Sequence, residues 1–349
     1  MVGRSVPSVL ACLLALACGD SPPASESDTS HAGSDEIAST SSESESETGD
    51  ESSADASGSD DASTGSEGPS FDLAPSPDLA EQAGCDAIDF LFVIDDSSSM
   101  AEHQQNLVAN VPAFVAGIEA TLDSVDSYQV GVIATDAYPY NPPVCILLGA
   151  LVTSTEDGGP DSSDMICGPY AEGFNYMTQA DELGESFACA AQVGTLGNGF
   201  ERPMEAMVET LGQSLDVPGG CNEGFLRDDA LLVIVVITDE WDGPGDPEAL
   251  NPARDPPTSA GTPQTWYDAV VAAKAGIPQN AAALVITNYH DGPCPPADLG
   301  HDGANLVEWV EHFGDNGVLG GICEPDYGPM FADATAVIET ACANFVPVG

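Results

Sequence analysis

From Ile88 onward the chain alternates unbroken apolar runs with stretches in which apolar residues return every three or four positions. Short unbroken runs predict strands covered on both faces, and the three-and-four spacing predicts helices with one buried stripe. The first run, Asp89-Phe90-Leu91-Phe92-Val93-Ile94, stops at Asp95-Asp96-Ser97-Ser98-Ser99-Met100. Leu107, Val111, Phe114, Ile118 and Leu122 then mark one face of a helix over about 99–122. Residues 128–134 form a second strand, and 230–237, Ala-Leu-Leu-Val-Ile-Val-Val-Ile, is rich enough in β-branched residues to be the centre of a sheet. Further strands at 282–287 and 317–323 alternate with helices at 265–275, 305–313 and 329–344. Strand-helix alternation with connections this long predicts right-handed crossovers and an α/β fold, a doubly wound, mainly parallel sheet flanked by helices.

Two stretches of the folded part follow neither rhythm. Residues 136–186 are broken by Pro, Gly and acids and carry Cys145 and Cys167, which predicts a disulfide-stapled insertion. After it, Gly194-Thr195-Leu196-Gly197-Asn198-Gly199-Phe200-Glu201-Arg202-Pro203-Met204-Glu205 is a Gly-rich loop opening a helix whose apolar side is Met204, Met207, Val208 and Leu211. It lacks the Gly-Lys-Ser/Thr ending of a phosphate-binding loop.

The beginning of the chain is of another kind. Arg4 precedes an apolar stretch from Val6 to Ala17 that ends in small residues, the layout of an export signal and too short to span a bilayer with comfort. From Gly19 to about Ser70 the chain is nearly all Ser, Asp, Glu, Thr, Ala and Gly, and cannot bury enough apolar surface to offset the entropy of ordering. The expected organisation is a signal over 1–18, a disordered acidic linker over 19–83 and a folded domain over 84–349.

Charge narrows the partners. The chain holds 58 acids against 5 basic residues, a net charge of -53. Nucleic acid is excluded, because the domain has only Arg202, Arg227, Arg254 and Lys274 with which to neutralise phosphates. Eight cysteines follow the export segment: Cys85, Cys145, Cys167, Cys189, Cys221, Cys294, Cys323 and Cys342. An even number in an exported chain predicts four disulfides, with the pairing left open. Closely spaced cysteines of the zinc-binding kind are absent from the sequence. The scattered histidines, His31, His103, His290, His301 and His312, read as surface residues.

The candidate chemistry lies in two acid-bearing turns, each following a buried strand, where open α/β sheets place their ligands. Asp95-x-Ser97-x-Ser99 offers one carboxylate and two hydroxyls, hard oxygen donors that suit magnesium, manganese or calcium. The bland alternative is a helix cap, since Asp and Ser are preferred there. The second turn is Thr238-Asp239-Glu240-Trp241-Asp242.

Asp95-x-Ser97-x-Ser99, the Thr195 loop and Thr238-Asp239-Glu240, in that order, resemble the von Willebrand factor type A (integrin I-like) domain over about 88–345, of the kind found in cysteine-rich bacterial surface lipoproteins. The resemblance implies a metal-ion-dependent adhesion site in which Asp95, Ser97, Ser99, Thr195 and Asp239 hold Mg2+, or Mn2+ or Ca2+, directly or through water. It implies binding of a protein partner that supplies a carboxylate, with no catalysis. Glu240 stands where the family has glycine, and with Asp242 it adds negative charge or a second cation. The rival readings are a structural envelope component with a vestigial site and a magnesium-dependent hydrolase. Leu14-Ala15-Leu16-Ala17-Cys18 resembles a lipoprotein signal with Ala15 in place of the usual Leu, which implies lipidation at Cys18, a membrane attachment through lipid alone and a place in the bacterial cell envelope. Val9-Leu10-Ala11-Cys12 fits the same pattern with a very short apolar region, and ordinary secretion is the alternative. Cys85 and Cys342, at the two ends of the domain, are the pair expected to close it.

Overall fold

The computed structural model describes residues 84–122, 125–197, 201–243, 258–294 and 303–348, with the side chains of 120–122 excepted. The export signal, the acidic linker and Cys18 lie outside the described residues.

Five strands form one all-parallel sheet: β1 (Ala87–Ile94), β2 (Ser127–Ala134), β3 (Leu231–Thr238), β4 (Ala281–Thr287) and β5 (Gly317–Gly321). Their order is β2-β1-β3-β4-β5, every neighbour parallel. Every residue of β1, β3 and β4 is buried. This is why these strands read as continuous apolar runs: a parallel sheet covered by helices on both faces has no solvent side to alternate with.

Successive side chains still divide between two cores, because the strand period is two. Ile88, Phe90, Phe92 and Ile94 join Leu231, Val233, Val235 and Ile237 under α1 (Ala101–Leu122), α2 (Leu183–Ala191) and α6 (Gly328–Ala343). Leu91, Val93, Leu232, Ile234 and Val236 face α3 (Pro203–Leu211), α4 (Pro263–Ala273) and α5 (Ala304–Glu311). Among the described residues no helix is long and apolar enough to cross a membrane.

The 136–186 stretch is not one structureless loop up to its expected end. Helix α2 begins at Leu183 and docks Phe187 against Phe92, with ring centroids 4.6 Å apart. Its nine residues are too few to show a clear three-and-four stripe, and tertiary packing supplies the stability that so short a helix lacks. The insertion is tied down by Val152 N–H donating to Val132 C=O at 2.7 Å and by an antiparallel bridge between Val130 and Met177.

All eight cysteines are paired. Cys85–Cys342 closes the domain as expected, tying the start of β1 to the end of α6 across 257 positions. Cys145 pairs with Cys221 and Cys167 with Cys189, so each cysteine of the insertion is joined to a partner beyond residue 186. Cys294–Cys323 joins the loops that follow β4 and β5.

Candidate functional site

Strand order reverses between β1 and β3, since the chain runs from β1 outward to β2 and returns on the other side of β1 to β3. The carboxyl ends of such a pair open into a crevice that helices on opposite faces leave uncovered. Both acid-bearing turns are placed there, and Asp95 N–H donates to Ile237 C=O at 3.0 Å, holding the two turns side by side.

Asp95 is buried, and both of its oxygens are engaged. Its Oδ1 accepts from Ser97 N–H at 2.7 Å, and its Oδ2 accepts from the Thr238 hydroxyl. Ser97 Oγ lies 2.9 Å from Ser99 Oγ, and Ser99 Oγ donates to Asp239 Oδ1 at 3.1 Å. Four of the residues chosen from sequence, Asp95, Ser97, Ser99 and Asp239, thus form one connected set, with Ser99 exposed and Asp239 half-buried. Ser97 stands at the N-cap of the short 3-10 turn over Ser98–Met100, yet its side chain makes no capping bond. The hydroxyls face each other and the acids, not the helix start.

Thr195 behaves differently. It is buried on the next loop, and its hydroxyl donates to the Pro160 carbonyl of the insertion at 3.3 Å. Its loop touches the first turn through other atoms. Gly197 N–H donates to Asp96 C=O at 2.8 Å, and a Cβ on Gly197 would lie 2.5 Å from Asp96 Cγ. Gly194, at φ +84°, would place a Cβ 2.3 Å from the Gly158 carbonyl. The glycines of this loop are therefore required by close approach on both sides, not by a phosphate.

Gln104 joins the two loops: its Nε2 donates to Asp95 C=O at 2.9 Å and to Gly194 C=O at 2.6 Å, while its Oε1 accepts from Gly194 N–H at 3.2 Å. Sequence reading missed it, although a signal was present. Met100, Gln104, Leu107 and Val111 follow the helical stripe, so a polar residue occupies a core position on α1.

Glu201 was also missed. It is buried, and its Oε2 accepts a hydrogen bond from the Thr135 hydroxyl, which also lies 3.4 Å from Asp96 Oδ1. Asp96, Asp136 and Glu201 thus stand behind the first set, all buried. Burial holds the carboxyls of Asp95, Asp96 and Glu201 above their usual range. Asp96 is pushed up to about 8 by burial, then by Asp136 and Asp95. Asp95 is raised by burial, then by Asp239, and Glu201 by burial, then by Asp95 and Asp96. The charges acting on these three are acids. Arg202, adjacent in sequence to Glu201, pairs instead with Glu205 at 3.3 Å.

The two acids of the third turn take different roles. Glu240 Oε1 stands 3.5 Å from Ser99 Oγ at the mouth of the site. Asp242 turns away: its oxygens accept from Met204 N–H, Ser259 N–H and the Thr258 and Ser259 hydroxyls, at 2.6 to 2.9 Å. It fastens the start of α3 to the loop before α4 and has no oxygen left over for a second cation. His103, one helical turn beyond Ser99, brings its Nε2 to 4.0 Å from Asp239 Oδ2, so it belongs to the rim of the site and not to a featureless surface.

The donor set fits a hard divalent ion. Two hydroxyls and an acid oxygen are linked by contacts of 2.9 and 3.1 Å, a buried carboxylate lies beside them, and the surrounding charge is negative. Among the described residues no three His, Cys, Asp or Glu side chains form a metal cage by themselves, and this set, with its neutral hydroxyls, is not of that kind.

No family model matches the chain, and no curated protein matches it. Among solved structures, two crystal forms of proximal thread matrix protein 1 from the mussel byssus are similar, each at 13% identity. The TM-scores are 0.36 and 0.34, over 74% of this chain and 49% and 48% of the matrix protein. The chain therefore spans about half the length of those proteins.

Proposed function

We propose that this domain is a binding module whose carboxyl-end crevice holds a divalent ion, magnesium, manganese or calcium, and through it a carboxylate of a protein partner. The observation that carries this reading is the connected set Ser97 Oγ, Ser99 Oγ and Asp239 Oδ1 beside buried Asp95, at the point where the strand order reverses. Ser99 and Asp239 present oxygens at the surface, while Thr238 and Ser97 N–H fix the Asp95 carboxylate from behind. A divalent ion bound to two carboxylates and neutral hydroxyls is formally balanced, and it engages an incoming carboxylate through a coordination position that the chain's own oxygens leave open. The 3-10 turn and helix that begin at Ser98 point their amino ends toward the same crevice, which favours an anionic partner further. Thr195 joins only if its hydroxyl leaves Pro160, which makes it the weakest member.

No proton shuttle or nucleophile is needed for this role, and we read the chain as a non-enzyme. We place it at the cell envelope, held by a lipid on Cys18. Such a chain contributes about 0.8 kcal/mol per buried methylene, so Cys18→Ser releases the protein from the membrane fraction, whereas an unchanged distribution means plain secretion.

The test is titration of the oxidised protein with manganese chloride. Wild type binds an ion that Asp239→Ala does not, while the circular dichroism spectrum of the variant stays native because Asp239 lies past the end of β3. Identical isotherms for the two proteins reject the site.

A further inference from the structure

We propose that a second hard cation, of the calcium type, sits behind the first site between the carboxylates of Asp96 and Glu201 and against the Thr135 hydroxyl. The residues differ from those of the proposed adhesion site, and the inference stands without it. Three observations carry it.

The first is a count of hydrogens. Thr135 Oγ1 lies within hydrogen-bond distance of Glu201 Oε2 and of Asp96 Oδ1, but a hydroxyl has one hydrogen to donate. Two ionised carboxylates cannot both be served by it. The second is what remains. Among the described residues, Asp96 Oδ2 and Glu201 Oε1 are buried and have no hydrogen-bond partner, on side chains that are 0% and 1% exposed. Buried carboxylate oxygens are otherwise donor-paired or metal-bound, since leaving one bare costs the full desolvation of the group. The third is charge. Asp95, Asp136 and Asp239 add to the negative potential at this end, and no Lys or Arg is among the main charges felt by Asp96 or Glu201.

The site also has a structural logic. Asp96 follows β1, Thr135 follows β2 and Glu201 precedes α3, so one ion would fasten three segments that the sequence separates. Their backbones already approach: Arg202 N–H donates to Thr135 C=O at 2.9 Å, and Gly197 N–H to Asp96 C=O at 2.8 Å. Calcium suits the place better than magnesium. It accepts irregular oxygen sets with bidentate carboxylates and gives up its water, whereas magnesium keeps several waters in strict octahedral geometry. Two carboxylates and neutral oxygens are the ligands, consistent with the lack of any three-acid cage among the described residues.

Equilibrium dialysis of the oxidised full chain against calcium chloride, at physiological ionic strength to suppress diffuse binding to the acidic surface, counts the ions. Wild type retains one more calcium than Glu201→Gln, a near-isosteric change, and calcium raises the melting midpoint of wild type more than that of the variant. In EDTA, Glu201→Gln melts at or above wild type, because an amide donor takes the place of a buried carboxyl oxygen that lacked one. If Glu201→Gln does not fold, Thr135→Val serves the same comparison. Loss of an ion in Glu201→Gln but not in Asp239→Ala supports the inner site while rejecting the outer one, and the reverse pattern rejects the inner site alone. Equal calcium counts and equal midpoint shifts in wild type and Glu201→Gln overturn the proposal, leaving protons alone to neutralise the cluster.

Discussion

Asp89 and Asp95 bracket the same strand and neither is exposed to solvent, yet one is met by cations and the other by acids. At the amino end, Asp89 Oδ1 accepts from Arg227 Nε at 2.7 Å, and its Oδ2 accepts from the Arg227 backbone N–H at 2.8 Å. The same guanidinium donates to Ser127 Oγ, and Lys274, itself fully buried, donates to the Arg227 carbonyl at 2.6 Å. Burial pushes Asp89 up to about 6 against the pull of Arg227, which leaves it ionised at neutral pH. At the carboxyl end, Asp95, Asp96, Asp136 and Glu201 are buried together, with Asp239 and Glu240 at the rim. Arg227 is committed to Asp89 and Lys274 to the carbonyls of Arg227 and Asp228 beside it, and neither serves this larger group. On the proposals above, a bound cation would bring positive charge to the carboxyl end, and that contrast would separate a structural acid from a binding one.

The comparison can be broken from either end. The largest effect expected is at the amino end, where Asp89→Ala leaves the partly buried Arg227 guanidinium without its partner and lowers unfolding free energy by about 3–5 kcal/mol, measured by urea denaturation. A loss under about 1 kcal/mol, the size of a surface pair, removes the distinction drawn here. Next is the closure of that end: replacing Cys85 and Cys342 by serine costs about 2–5 kcal/mol. The corresponding change at Cys294 and Cys323 costs less, because the loop it closes is 29 positions and not 257. Equal losses for the two pairs contradict a loop-closure origin.

The carboxyl end is expected to respond with the opposite sign. In EDTA, Asp96→Asn raises stability by about 1–3 kcal/mol, the range for relieving a bare buried polar group. A destabilised Asp96→Asn in EDTA means that this carboxylate is already satisfied within the chain. The smallest effect belongs to Thr195→Ala. Its hydroxyl donates to Pro160 and is neutral, so ion affinity falls by about fivefold or less, in keeping with a net hydrogen-bond worth of about 0.5–1 kcal/mol. A loss as large as that of Asp239→Ala would show that Thr195 turns onto the ion.

Much of this was legible in one dimension. The buried strands announced themselves because a parallel sheet covered on both faces leaves long apolar runs, and two of those runs, β1 and β3, lead directly into an acid at the carboxyl end. Asp95, Ser97, Ser99 and Asp239 were readable for the same reason, since each lies within a few residues of a strand end. Cys85 and Cys342 were readable as a pair from their places at the two ends of the domain. Helix α2 was not, because its nine residues owe their conformation to packing against Phe92 and Phe114.

By itself, then, the sequence determined the element types, the parallel sheet and the two acid-bearing turns, all set by local periodicity and by what a strand end exposes. Only the tertiary structure decided which loops meet. It turned Thr195 toward the insertion, made Asp242 a fastening for α3, put Gln104 between two carbonyls and brought Glu201 to Thr135 and Asp96. Those roles depend on the order in which strands join the sheet, and 66 positions of sequence between Thr135 and Glu201 collapse to one hydrogen bond only after that order is in place.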